Sequence, residues 1–228
     1  MQAPAAAAPR APATTAARLR ITETFYSLQG EAESVGWPTF FIRLTGCPLR
    51  CHYCDTAYAF EGGEWRDLAA LVGEARASGA RHACVTGGEP LSQKHCLTLL
   101  AQLCDAELQV SLETSGAIDA SAVDPRVVRV IDIKTPGSGE SHRNLDLDCQ
   151  QLRSSDLLKF VICDRKDYEW SRDLVRSQRL DSRCTVLFSP SWLQLPAARL
   201  ADWILADRLP VRFQVQLHKV LWGDVPGR

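Results

Sequence analysis

Short apolar runs take turns with longer segments of helical periodicity through most of this 228-residue chain. Leu19 to Phe25 alternates apolar and polar residues as a half-buried strand does, and Phe40 to Leu44 is a second run, broken by Gly46. Ala83 to Thr86, Val110 to Glu113, Val127 to Ile133, Leu157 to Ile162, Thr185 to Phe188 and Phe213 to Leu217 also read as strands. Trp65 to Ala77, Gln93 to Leu103, Tyr168 to Ser177 and Ala197 to Ala206 read as helices. Such alternation predicts an α/β fold of parallel β/α units, whose functional residues gather where strands end. Thr86 to Pro90, Glu113 to Gly116, Asp132 to Gly139 and Ser189 to Pro190 fall at such ends and are expected to converge on one mouth.

With 46% hydrophobic residues, the chain suits one domain with a substantial core. The segment 1–18 is rich in Ala, Pro and Arg, cannot cover a core, and is expected to be a disordered tail ahead of a catalytic domain over 19–228. Net charge is −1, and with Arg10, Arg18 and Arg20 set aside the remainder has an acidic excess, which argues against a nucleic-acid partner. No apolar run is long enough to span a bilayer, so no membrane role is expected. Nine cysteines are an odd number, and Cys84, Cys96, Cys104, Cys149, Cys163 and Cys184 are scattered among apolar neighbours. That is no disulfide framework, and it implies a reducing, cytoplasmic compartment.

The other three cysteines form Cys47-Pro-Leu-Arg-Cys51-His-Tyr-Cys54, a C-x3-C-x2-C loop. Three thiolates on one short loop can ligate three irons of a [4Fe–4S] cubane and leave the fourth iron open to a small-molecule ligand. A zinc-binding interaction module is the alternative that the spacing allows, although a closed zinc site needs a fourth ligand and no second cysteine pair lies nearby.

The loop, with aromatic Tyr53 before its third cysteine, resembles the signature of the radical S-adenosylmethionine (SAM) superfamily. Thr86-Gly87-Gly88-Glu89-Pro90 resembles that superfamily's G-G-E motif, Glu113-Thr114-Ser115-Gly116 its E-T-N-G, and Asp132-Ile133-Lys134 its D-x-K. The resemblance implies a partial, abbreviated parallel β/α barrel. It also implies that Tyr53 lies near the adenine of SAM, that Gly87, Gly88 and Glu89 hold its methionine amino group, and that Glu113, Ser115 and Lys134 lie around the cofactor. Paired glycines are expected to let the backbone approach a ligand closely.

Three further segments, Phe25 to Glu31, Phe41 to Cys47 and Cys54-Asp55-Thr56, resemble the 7-carboxy-7-deazaguanine synthase family of queuosine biosynthesis. The likeness extends to Asp132 to Gly139, Lys159-Phe-Val and Gln216-Leu-His218-Lys219. It implies a radical ring contraction of 6-carboxy-5,6,7,8-tetrahydropterin with loss of ammonia. Leu28, Gln29, Gly30, Glu31, Arg43, Thr86 and Gly88 would form the substrate site, with Arg43 gripping the carboxylate and Gln29 and Glu31 the heterocycle edge. Magnesium at Thr56, a flavodoxin as electron donor and a homodimer are also implied. On the residues alone, Gln29-Gly30-Glu31 could be a polar turn, Arg43 could pair with a structural acid, and Thr56 could cap a helix. A radical activase of a glycyl-radical enzyme shares the cysteine spacing and stands as a second enzymatic reading. Ala32, Ser115 and Gly137 depart from the family's Gly, Asn and Ser. No role is assigned to His218 and Lys219 beyond anchoring a last strand.

Overall fold

The computed structural model describes residues 17–148 and 150–228, so the expected tail, except Ala17 and Arg18, and Cys149 lie outside the described residues. Nine strands form one sheet: β1 (Arg18–Leu28), β2 (Pro38–Leu44), β3 (Glu64–Asp67), β4 (His82–Gly87), β5 (Gln109–Ser115), β6 (Val128–Ile133), β7 (Leu157–Ile162), β8 (Thr185–Pro190) and β9 (Arg212–Phe213). Their spatial order is β3-β1-β2-β4-β5-β6-β7-β8-β9. β1 runs antiparallel to β2 and β3, and every neighbour pair from β2 to β9 is parallel. β3 and β9 do not meet, so the sheet is a partial barrel. The helices are α1 (Leu68–Ala77), α2 (Cys96–Asp105), α3 (Arg165–Gln178), α4 (Ala197–Ala206) and α5 (Leu217–Trp222). Among the described residues no helix is long and apolar enough to cross a membrane.

The twofold alternation of strand side chains sorts the two faces. Ile42, Leu44, Val85 and Leu112 pack outward beneath Leu71 and Ala75 of α1 and Leu99, Leu100 and Leu103 of α2. Ile131, Ile133, Leu158, Phe160 and Phe188 do the same beneath Tyr168 and Val175 of α3 and Leu200 and Ile204 of α4. The intervening residues, Arg43, Thr86, Glu113, Asp132 and Lys159, therefore face the barrel interior. Below them Val130, Leu157 and Leu187 pack with Ala32 into a small apolar floor.

Three sequence expectations are corrected. Trp65 to Asp67 is strand and α1 begins at Leu68, because Arg18 to Ile21 of β1 offers an open edge that Glu64 to Asp67 fills in antiparallel register. α2 starts at Cys96 and not at Gln93, whose side chain bonds the backbone of Arg20 and Thr45. Of the run Phe213 to Leu217 only Phe213 is strand, in β9 with Arg212 before it. Gln214 and Gln216 turn their amides to Glu31, Leu217 N–H donates to Gly30 C=O at 3.0 Å, and His218 and Lys219 sit on α5.

Candidate active site

At the C-terminal ends of the parallel strands lies a cavity of about 460 Å³. One wall is the loop from Gly46 to Thr56. Its start, and the end of β2 that leads into it, are held by the first two residues after β4: Gly88 N–H donates to Leu44 C=O at 3.1 Å and Glu89 N–H to Gly46 C=O at 2.8 Å. A Cβ on Gly88 would overlap Gly46 O and stand 2.9 Å from Cys47 Cβ, and one on Gly87 would overlap Leu44 O. The close backbone approach of this pair is therefore, in this chain, to the end of β2 at Gly87 and to the cysteine loop at Gly88. Glu89 is fully buried and does not line the cavity; its carboxylate accepts from Thr114 Oγ1 at 2.7 Å, Ser115 N at 2.7 Å and Leu91 N at 3.0 Å. It ties the end of β5 to the turn after β4 and leaves the backbone of Gly87 and Gly88 at the cavity surface.

Cys47, Cys51 and Cys54 all line this cavity and are partly buried. Burial pushes the Cys47 thiol up, opposed by Leu49 N–H, which donates to its Sγ at 3.4 Å. Burial pushes the Cys51 thiol up to about 11 despite the Lys134 ammonium nearby, so metal has to displace its proton on binding. Among the described residues no three His, Cys, Asp or Glu side chains converge on one ion. A cubane asks instead for three thiols, each on a different iron, and the loop provides that donor set. Arg50 clamps the loop from outside, donating to Cys47 C=O and Leu49 C=O at 2.7 Å, lying 4.3 Å from the Phe60 ring centroid, and with its N–H bonded to Glu140 at 2.8 Å.

The opposite wall is polar and assembled from remote segments. Arg43 of β2 is fixed by Glu23, which accepts from its Nε at 2.7 Å, and it packs against the Phe25 and Tyr58 rings. A structural acid thus does hold Arg43, through Nε; among the described residues its terminal nitrogens have no hydrogen-bond partner, which leaves a fork for a carboxylate. Gln29 Oε1 accepts from the N–H groups of Gly30 at 2.8 Å and Glu31 at 3.3 Å, and its buried Nε2 has no partner. Glu31 accepts from Lys159 Nζ at 3.0 Å, Gln214 Nε2 at 3.2 Å and Gln216 Nε2 at 3.0 Å. Burial opposes its ionisation, yet Lys159, Gln216 and His218 outweigh burial and hold the carboxyl below its usual range. Among the described residues Glu113 has no such direct partner, and burial pushes its carboxyl up.

Leu28, Gly30, Tyr53, Thr56, Thr86, Ser115 and Lys134, all expected in the site, also line the cavity. Among the described residues the buried Tyr53 Oη and Asp132 Oδ1 have no hydrogen-bond partner, and both residues line the cavity. Gly30 admits α5: a Cβ there would overlap the His218 ring. Gly137 departs from the family pattern because a side chain would overlap the Asp167 carboxylate, which accepts from Gly137 N–H at 2.8 Å. The residues that sequence reasoning left without a role are Lys159, Gln214, Gln216, Lys219 and Asp55. Lys219 bonds Asp55 at 2.7 Å; the Cys54-Asp55-Thr56, Lys159-Phe-Val and Gln216-Leu-His218-Lys219 segments signalled this group except for Gln214.

Residues 41–132 match the Radical SAM superfamily. The chain is 42% identical over 213 residues to the 7-carboxy-7-deazaguanine synthase of Chlorobaculum tepidum, covering 92% of this chain and 97% of that protein. It is 38% identical over 222 residues to that of Koribacter versatilis, covering 90% and 97%. Among solved structures, QueE from Escherichia coli aligns with a TM-score of 0.72 at 24% identity, over 88% of this chain and 95% of that one. SuiB from Streptococcus suis aligns at 0.57 with 14% identity, over 78% of this chain and 48% of that one. At those identities, the structural likeness speaks to the fold.

Proposed function

The chain belongs to the 7-carboxy-7-deazaguanine synthase family of the radical SAM superfamily, and on that premise we propose how its own residues serve the reaction. It is a radical SAM lyase that converts 6-carboxy-5,6,7,8-tetrahydropterin into 7-carboxy-7-deazaguanine with loss of ammonia, in queuosine biosynthesis. The relatives give no support to the activase or the zinc module. The observation that carries the residue-level reading is that the cysteine loop and the Gln29–Glu31–Arg43 wall line one cavity.

Cys47, Cys51 and Cys54 would hold the cluster, with Arg50 and the backbone of Gly88 and Glu89 fixing their loop. When bound, the cluster and SAM together supply abstraction of a hydrogen atom from C6 of the pterin. Tyr53, Gly87, Gly88, Glu113, Ser115 and Lys134 border the nucleotide, while Glu89 acts at one remove by fixing Ser115 and Thr114. Across the cavity, the terminal nitrogens of Arg43 take the substrate carboxylate, Gln29 Nε2 donates to a ring acceptor and Glu31 accepts from ring donors. Leu28, Gly30 and Thr86 shape this pocket. Thr56, at the cavity surface, would offer one hard oxygen to a magnesium ion, which prefers such ligands. A flavodoxin donor and a homodimer are part of the proposal, on the likeness of motifs alone. A reducing, cytoplasmic location is supported by the eight described cysteines, all free thiols.

The test is anaerobic incubation of the reconstituted enzyme with the carboxypterin, SAM, magnesium and dithionite. Mass spectrometry is expected to show 7-carboxy-7-deazaguanine; consumption of SAM with no such product would reject this substrate.

A further inference from the structure

Lys159 stands on the inward face of β7, beside Asp132 in the β6–β7 register. Its side chain is nine-tenths buried, with Nζ 3.0 Å from Glu31 Oε2 and 3.6 Å from Asp132 Oδ2. Nothing in the reaction as described above uses it. We propose that Lys159 is a positioning residue that fixes Glu31 as a pure hydrogen-bond acceptor, so that Gln29 and Glu31 together read a heterocycle edge with an acceptor beside a donor. The inference rests on the reading that these two side chains face the pterin.

The argument begins with how each side chain is constrained. The backbone N–H groups of Gly30 and Glu31 occupy Gln29 Oε1, so the amide can present only its Nε2 donor to a ligand. Glu31 is oriented by Gln214 and Gln216, and the Gln214 amide is itself fixed because its Oε1 accepts from Ala32 N–H at 3.0 Å. Three donors on a carboxylate leave it a remaining lone pair for the substrate, but only while it is ionised. A protonated Glu31 would offer a donor where the pterin also offers one.

Ionisation is the uncertain element in a buried site, and the surrounding charges decide it. Facing this corner are Lys159 from β7, Asp132 from β6, Glu113 from β5, Arg43 from β2 and His218 from α5. Two of these five are carboxylates, Asp132 adds to the charge that opposes ionisation of Glu113, and Lys134 lies against Asp132. Burial holds His218 toward its neutral form although Glu31 and Asp55 favour its charge. Burial also opposes the Lys159 ammonium, but Glu31, Asp132 and Glu113 hold it charged well above the usual lysine range. Lys159 is thus the strongest single influence keeping Glu31 ionised against burial. The sign follows: with Lys159 present Glu31 stays ionised to below the usual carboxylate range, and without it burial and the neighbouring carboxylates carry its titration upward.

The experiment measures carboxypterin and SAM dissociation constants for the reconstituted holoenzyme and its Lys159→Met, Lys159→Gln and Lys159→Arg forms between about pH 6 and 9. Wild type is expected to show no Glu31-type loss of substrate affinity across that range. Lys159→Met is expected to bind the carboxypterin about ten-fold or more weakly near neutrality and to recover several-fold toward the alkaline end, with SAM affinity unchanged. Lys159→Arg restores the flat profile. If Lys159→Met does not assemble a cluster, Lys159→Gln, which keeps a donor but no charge, is read in its place. A flat profile in the uncharged variant with wild-type carboxypterin affinity overturns the role of Lys159 alone. Failure of the wild-type holoenzyme to bind the carboxypterin overturns the substrate assignment and this inference with it.

Discussion

The two walls of the cavity are built by opposite means. The cysteine wall is backbone against backbone, Gly88 on Leu44 and Glu89 on Gly46, with no room for a methyl group between. The substrate wall is side chain against side chain, with Glu31 meeting partners 128, 183 and 185 positions away. The contrast teaches where each wall is vulnerable. Added volume breaks the first, whereas removed charge breaks the second.

The largest expected effect tests the first wall at its ligands. Alanine at Cys47, Cys51 or Cys54 abolishes cluster assembly, measured as iron and sulfide content and charge-transfer absorbance. Cys96→Ala, in a thiol buried in the helix-covered core, leaves both at wild-type levels. An equal loss from Cys96→Ala would undo the sorting of thiols on which the comparison stands.

Next come two glycines that separate the walls. Gly88→Ala forces the cysteine loop apart, costing about 1–3 kcal/mol of stability and most of the bound iron. Gly30→Ala drives α5 off through His218, so substrate affinity falls while iron content and SAM binding hold. Iron loss in both variants would mean that the walls are one mechanical unit.

Arg43→Ala removes a charge-assisted grip and is expected to weaken carboxypterin binding by about 2–3 kcal/mol, roughly 30- to 150-fold, with little change in SAM binding. Equal losses for both ligands would take Arg43 out of the carboxylate role and leave it as the partner of Glu23 alone.

The smallest effect sharpens the comparison at the cavity floor. Ala32 holds φ at +64°, a conformation that costs an L-residue about 1–2 kcal/mol, but its methyl packs on Val130, Leu157 and Leu187, a contact that contributes about 0.8 kcal/mol. Ala32→Gly is therefore expected to shift the melting temperature upward by no more than a few degrees and to leave substrate affinity unchanged.

Much of the fold was legible because it rests on local pattern. The apolar runs at Ala83 to Thr86, Val110 to Glu113 and Leu157 to Ile162 are strands, and Ala197 to Ala206 is a helix with the expected bounds. What could not be read locally was the fate of segments whose partners lie elsewhere. Glu64 to Asp67 is strand only because β1 leaves an edge open, and residues 214–217 leave the sheet because Glu31 draws their amides inward. The likeness of Gly87-Gly88-Glu89 to a ligand-binding motif was plain in the sequence, yet the contacts that exclude side chains there are with Leu44 at Gly87 and with Gly46 and Cys47 at Gly88.

By itself the sequence determined the cysteine spacing, the glycine pair and the β/α alternation, because each depends on neighbours a few residues apart whose geometry covalent connection nearly fixes. Only the tertiary structure decided which carboxylate stays charged, which amide edge faces the cavity and why Gly30 and Gly137 have no side chain. Those properties depend on burial and on charges brought together across the chain, and neither exists before the sheet has formed.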